Sequence, residues 1–156
     1  MKTFTKWFLL NALMATGIFF AETKGAISLM VKNDVSFLTV VIMALYLIVS
    51  SMVGMLCYTA DKIGKGLQPS KRQQLSKRAE VGWFAAEHFF SLGLLGTVFG
   101  LCVATSTSLT EGNEVSDIVS GLKTGLNTAF YTTICGIVFS LPLQLQLMIL
   151  RFKLEE

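Results

Sequence analysis

Gly121 to Pro142 reads GLKTGLNTAFYTTICGIVFSLP. The stretch is long and apolar enough to cross a bilayer, and its two sides differ. Gly121, Gly125, Ala129, Thr132, Gly136 and Ser140 recur every three or four residues, which places small and polar groups on one helical stripe. Leu122, Leu126, Phe130, Ile134, Ile137 and Leu141 form the bulky opposite stripe. A helix bathed in lipid on all sides gains nothing from that asymmetry. One side therefore packs against a helix or borders water, and the other meets lipid or a neighbouring subunit.

The rest of the chain has the same character. Of 156 residues, 53% are hydrophobic and 15% charged, and the mean hydropathy is +0.62, so the chain reads as an integral membrane protein. Cys57, Cys102 and Cys135 lie in apolar runs with no metal or disulfide spacing, and read as small core hydrophobes.

Upstream of the striped helix, three further apolar runs stand out. The first, Trp7 to Ala21, follows Lys2 and Lys6, a pattern shared by signal peptides and short spans; it is read here as a first transmembrane helix. The polar patch from Glu22 to Asp34 reads as a short outer loop. Ser36 to Tyr58 carries no charge and is a full span. Asp61 to Glu87 is basic, with a break expected at Gly64, Gly66 and Pro69 and a helix from Ser70. Its paired cations lack an aromatic platform or a nucleic-acid module, so they read as a loop held in the cytoplasm, with no nucleic-acid partner. The third run, His88 to Leu109, places Gly93, Gly96, Thr97, Gly100 and Ala104 on one side. His88 reads as an interfacial residue.

The fourth run extends from Lys123 to Leu150, with a kink or break expected at Pro142 and with Gln144 and Gln146 placed to face a pore or inner vestibule. With both termini cytoplasmic, ten basic residues fall inside and three, Lys24, Lys32 and Lys123, outside. The expected fold is an all-α integral membrane protein with four transmembrane helices, the last two lining a central pore in a homo-oligomer. Residues 1–35 would hold the first span and outer loop, 36–87 the second span and cytoplasmic basic segment, and 88–156 the pore-forming pair with a short tail.

Spans three and four run in opposite directions, so Thr97 and Thr133 both fall near mid-membrane, with Thr128 and Thr132 slightly nearer the outside. A membrane threonine often bonds back to its own helix. Several at one depth on two glycine-rich helices point to a narrow polar lining. The core runs contain no Asp, Glu, Lys or Arg, so any titrating acid must come from another chain. No catalytic constellation, phosphate loop or metal spacing is present, and neither enzyme activity nor a cofactor or metal is expected.

The run Gly93-Leu94-Leu95-Gly96-Thr97-Val98-Phe99-Gly100 resembles the LGTV-x-G signature of the MotA/TolQ/ExbB proton-channel family. Gly125 to Gly136, continuing to Pro142, is similar to that family's last helix. The resemblance implies a pentamer around two copies of a single-span MotB/TolR/ExbD-type partner, whose membrane aspartate carries the ion, expected to be a proton. It assigns Thr97 and Thr133, with Thr132 and Thr128, to the pathway, and Gly93, Gly96, Gly100, Gly125 and Gly136 to close packing. Thr128 stands where TolQ and ExbB members carry a pore glutamate. The family's flagellar members have a large domain between spans two and three that is absent here, which favours a small motor of a defence, phage-borne or transport system in the bacterial inner membrane. A rival expectation is a self-sufficient, holin-like pore without energy coupling.

Overall fold

The computed structural model describes residues 2–63, 69–108 and 115–155, and its regular structure is helical: α1 (Thr3–Thr23), α2 (Ala26–Asn33), α3 (Leu38–Ile63), α4 (Pro69–Ser108) and α5 (Val115–Glu155). α1, α3, α4 and α5 are long and apolar enough to cross a membrane. The expected break at Gly64 and Gly66, and Leu109 at the end of the third run, lie outside the described residues.

Three expectations change. The basic segment and third run merge into one 40-residue helix that starts at Pro69, where the missing N–H costs nothing. The fourth run begins at Val115 and continues unbroken past Pro142 to Glu155. At 1.5 Å per residue each of these helices is roughly 60 Å long, about twice the hydrocarbon thickness. The polar patch after α1 contains the short helix α2. Gly25, at φ 68°, ends α1 in the left-handed conformation, and its N–H bonds the Glu22 carbonyl at 2.7 Å. The Glu22 carboxylate then accepts from the Ser28 N–H at 3.1 Å and from the Ser28 hydroxyl, capping α2.

The α2–α3 junction is built around Asp34, which is 4% exposed. Its carboxylate accepts from the Ser36 N–H at 2.9 Å and the Thr39 N–H at 2.7 Å, which satisfies donors at the start of α3. At the other end of α3, Asp61 accepts from the Phe4 N–H at 2.7 Å. No side chain of α1's own N-cap residue, Lys2, serves that helix end. α3 supplies the cap that α1 lacks.

A second tie between α1 and the bundle is a cluster of neutral polar side chains. Asn11 Oδ1 accepts from the Tyr46 hydroxyl at 3.3 Å and the Ser50 hydroxyl at 3.0 Å. Gln146 Nε2 donates to the Tyr46 oxygen at 3.3 Å, and Ser50 Oγ lies 2.9 Å from Gln146 Oε1. The single Ser50 proton serves one acceptor at a time. Trp7 Nε1 donates to the Ser50 carbonyl at 3.1 Å, and its ring fills the space over Gly54. Gln146 is fully buried between α1, α3 and α5, which corrects the expectation that it faces a pore or vestibule. Gln144 is half-buried and donates to Ser140 Oγ at 3.1 Å.

Truncating one member of this cluster leaves the others unpaired in an apolar interior. Gln146→Leu and Ser50→Ala should each cost about 1–3 kcal/mol. The double variant should cost less than the sum, because both remove the same network. Thermal midpoints of the four proteins in detergent measure this coupling; strict additivity would contradict the network.

Candidate functional site

α4 and α5 pack antiparallel along most of their length. The buried line on α4 runs Leu75, Ala79, Gly82, Ala86, Phe89, Gly93, Gly96, Gly100 and Ala104, in steps of three or four residues. Opposite it lie Gly125, Ala129, Thr132, Gly136, Ser140, Leu147 and Leu154 of α5. Large residues fill the seam toward Leu75 and Leu154, and glycines toward Gly100 and Gly125.

In the glycine part the two backbones nearly touch. A Cβ placed on Gly100 would lie 2.5 Å from the Gly125 carbonyl oxygen and 2.6 Å from Ala129 N. One on Gly136 would lie 2.7 Å from the Phe89 carbonyl oxygen, and one on Gly93 would lie 3.1 Å from the Thr132 carbonyl oxygen. Gly125 fits under Ala104, and the Thr132 side chain occupies the space that a side chain at Gly96 would need. These contacts set the register: Gly93 and Gly96 of α4 lie level with Thr132, Thr133 and Gly136 of α5.

That register decides where each threonine points. Thr133 Oγ1 lies 3.2 Å from the Gly93 carbonyl across the seam and 3.1 Å from the Ala129 carbonyl of its own helix, so its single proton is shared between these two acceptors. Thr97 sits one turn beyond Gly93, and its hydroxyl bonds back to the Leu94 carbonyl. Both side chains are half-buried, on the rim of the seam. Thr132 and Thr128 are fully buried. Thr132 bonds its own helix at the Thr128 carbonyl, 2.9 Å away. Thr128 turns toward the α2–α3 junction, donating to the Asn33 carbonyl at 3.0 Å and accepting from the Val35 N–H at 3.3 Å. Within the single chain, Thr97 and Thr133 keep open surface at one depth, while Thr128 and Thr132 are taken up in packing.

Between residues 89 and 106, and again between 124 and 150, there is no Asp, Glu, Lys, Arg or His. Along these stretches the paired helices therefore offer hydroxyls and carbonyls but no group that carries a charge. His88 is exposed, its Nδ1 2.7 Å from the Phe84 carbonyl and its ring stacked on Phe84 at 3.9 Å. Cys57 and Cys135 are buried, whereas Cys102 is exposed on the apolar face of α4. Among the described residues no group of His, Cys, Asp or Glu could hold a metal ion.

Two elements of this region escaped the sequence reading. Ser140 donates to the Ala86 carbonyl at 2.7 Å, a second hydrogen bond across the seam. The Asn11–Tyr46–Ser50–Gln146 cluster fixes the back of α5. Its traces were an amide inside the first apolar run and Tyr46 and Ser50 at i, i+4 on one face of the next.

Residues 67–156, which take in all of α4 and α5, match the model of the MotA/TolQ/ExbB proton channel family. No curated protein and no solved structure matches the chain.

The seam predicts a sharp contrast between glycines. Gly100→Ala meets backbone on both sides and should cost about 1–3 kcal/mol by forcing α4 and α5 apart. Gly17→Ala, where nothing lies within 4 Å of the added carbon, should be neutral or stabilise by up to about 1 kcal/mol. Thermal midpoints of the two purified variants compare them directly; equal midpoints would contradict the seam.

Proposed function

We propose that this chain, which belongs to the MotA/TolQ/ExbB proton channel family, is the ring-forming subunit of a proton-driven membrane motor. The observation that carries the reading is the α4/α5 pair, with hydroxyls at mid-depth and no ionisable side chain beside them. A proton route across that depth needs a group that takes up and releases a proton. The reading assigns that group to a single-span MotB/TolR/ExbD-type partner with a membrane aspartate, two copies of which stand inside a pentamer of this chain.

Thr133 and Thr97 are the pathway residues, because their hydroxyls border open surface; Thr128 and Thr132 hold the helices that present them. An ionised aspartate at this depth is costly, and a hydroxyl or trapped water that donates to it lowers that cost. Protonation from outside neutralises the carboxyl and lets it pass the apolar wall of Leu94, Val98 and Phe130, and release to the inside resets it. Five subunits around two helices let one aspartate at a time meet a given threonine pair, so proton flow becomes stepwise rotation. Each proton carries about 2.3 kcal/mol per 100 mV. The chain lies in the bacterial inner membrane with both termini cytoplasmic, where its basic segment is retained.

Thr133→Val keeps the side-chain shape and leaves the Gly93 carbonyl in its own helix ladder. The ring should therefore form as before. Proton-dependent output should fall at least about tenfold, the worth of one hydrogen bond to a charged group, and Thr133→Ser should restore most of it. Full output from the Val variant would overturn the assignment. Proton flux from this chain reconstituted without any partner would instead support the self-sufficient pore.

A further inference from the structure

Glu87 lies at a depth where the helices packed on α4 carry no charge. Ser140 of α5 donates to the carbonyl of Ala86, so Glu87 is level with Ser140. From that level α5 stays uncharged through Leu150, roughly 15 Å further inward at 1.5 Å per residue. Phe139 packs on Tyr46 with ring centroids 5.0 Å apart, so the same level also falls inside the uncharged stretch 36–60 of α3. Glu87 is exposed on the outward side of α4, and among the described residues it has no hydrogen-bond or ion-pair partner. A carboxylate at such a depth faces water or a polar chamber, because hydrocarbon does not solvate it.

Two stripes lead to a recess at this place. On α4, Glu87, Leu94 and Val98 are spaced by seven and four residues and share a face. Glu87 therefore continues the apolar wall two turns inward from Leu94, roughly 10 Å away. On α5, Thr133, Gln144 and Arg151 are spaced by eleven and seven, so the rim that carries Thr133 continues through a half-buried amide to a cation. A cavity of about 610 Å³ between the two helices is lined in part by Arg72, Ser76, Glu80, Trp83, Arg151 and Glu155. A second, of about 450 Å³, shares Glu80, Trp83 and Arg151 with it and adds Phe84 and Glu87. The charged groups facing the recess are thus Arg72, Glu80 and Glu87 from α4 and Arg151 and Glu155 from α5, the last two paired at 2.8 Å. His88, the titratable neighbour of Glu87, turns back to the Phe84 carbonyl.

We infer that this recess is a water-filled proton exit, and that Glu87 is the group that first accepts the proton on its way to the cytoplasm. The inference rests on the proton-driven reading given above. Once the partner's carboxyl has passed Leu94, its O–H proton moves through water to a carboxylate oxygen of Glu87, and the partner group is left ionised. Glu87 then gives the same proton to water in the recess and is itself ionised again, so one proton leaves for each carboxyl that passes.

Two measurements on the assembly as isolated from membranes test this. The first asks whether water reaches Glu87. In inverted vesicles, which turn the cytoplasmic side outward, Glu87→Cys on a Cys102→Ala background is treated with a membrane-impermeant maleimide; Cys57 and Cys135 are buried. Labelling at a rate near that of Lys71→Cys supports the recess, and absence of labelling overturns it whatever the chain drives. The second measures proton flux in vesicles reconstituted with that assembly. Glu87→Gln should lower flux at least about tenfold, the low side of what a positioned proton acceptor supplies, with particle mass unchanged. Glu87→Asp should keep most of the flux. Formate or azide on the cytoplasmic side should restore flux to Glu87→Gln, since a small weak acid replaces a missing proton carrier but does not repair packing. A loss that neither acid restores would overturn the assignment. Full flux in Glu87→Gln beside lost flux in Thr133→Val would overturn this inference alone, and full flux in both would overturn the threonine pathway with it.

Discussion

α4 and α5 meet backbone to backbone between Gly100 and Gly125, and the arrangement of the paired helices follows from that contact. Where two helices lack side chains they approach until carbonyls and Cα hydrogens touch, and the contact becomes extensive without any large side chain. That contact fixes the register of α4 on α5 and thereby the depth of every hydroxyl they carry. It also explains why the small stripe is interrupted by threonine. Thr132 is large enough to fill the hollow left by Gly96, and Gly96 is the residue that makes the hollow. The pair is a lock of complementary shape.

Polar groups in this core are handled in two ways. Those in the seam bond to main-chain carbonyls, Thr133 to Gly93 and Ser140 to Ala86, as does Thr128, which reaches Asn33 at the α2–α3 junction. Such bonds add direction to a packing that is otherwise non-directional. On the far side of α5, Gln146 gathers Asn11, Tyr46 and Ser50 into a shared network, so the helix that presents the hydroxyls is held from behind as well. Neutral groups suit this role, since an unpaired charge at the same place would cost far more than the amides and hydroxyls do. The helix bearing Thr133 is thus gripped on two sides.

The outward faces carry a different message. Phe130 is 61% exposed, Val98 59% and Leu95 56%. A single chain presents these faces to lipid or to copies of itself, and the ring reading uses them for both. Charge is absent from residues 89–108 of α4 and 124–150 of α5 and is found in the remainder of those two helices and at the end of α3, where Asp61 lies. In these stretches the chain builds a neutral, hydroxyl-bearing surface.

Much of this was legible in the residues. The spans follow from apolar runs, because transfer of an uninterrupted hydrocarbon segment to the bilayer depends on composition alone. The facing stripes of α4 and α5 follow from the 3.6-residue period, which fixes what shares a face whatever that face meets. The family resemblance at Gly93–Gly100 and Gly125–Pro142 rests on the same local pattern. Partners across space were not legible. The sequence placed four threonines in one lining; in the single chain the register of the glycine seam leaves Thr97 and Thr133 with open surface and takes Thr128 and Thr132 into packing. It placed Gln146 toward a vestibule, although the angle of α5 against α1 and α3 buries it. Helix periodicity assigns a side chain to a stripe, but which neighbour that stripe meets depends on how closely whole helices approach, and that is settled by packing between segments far apart in the chain.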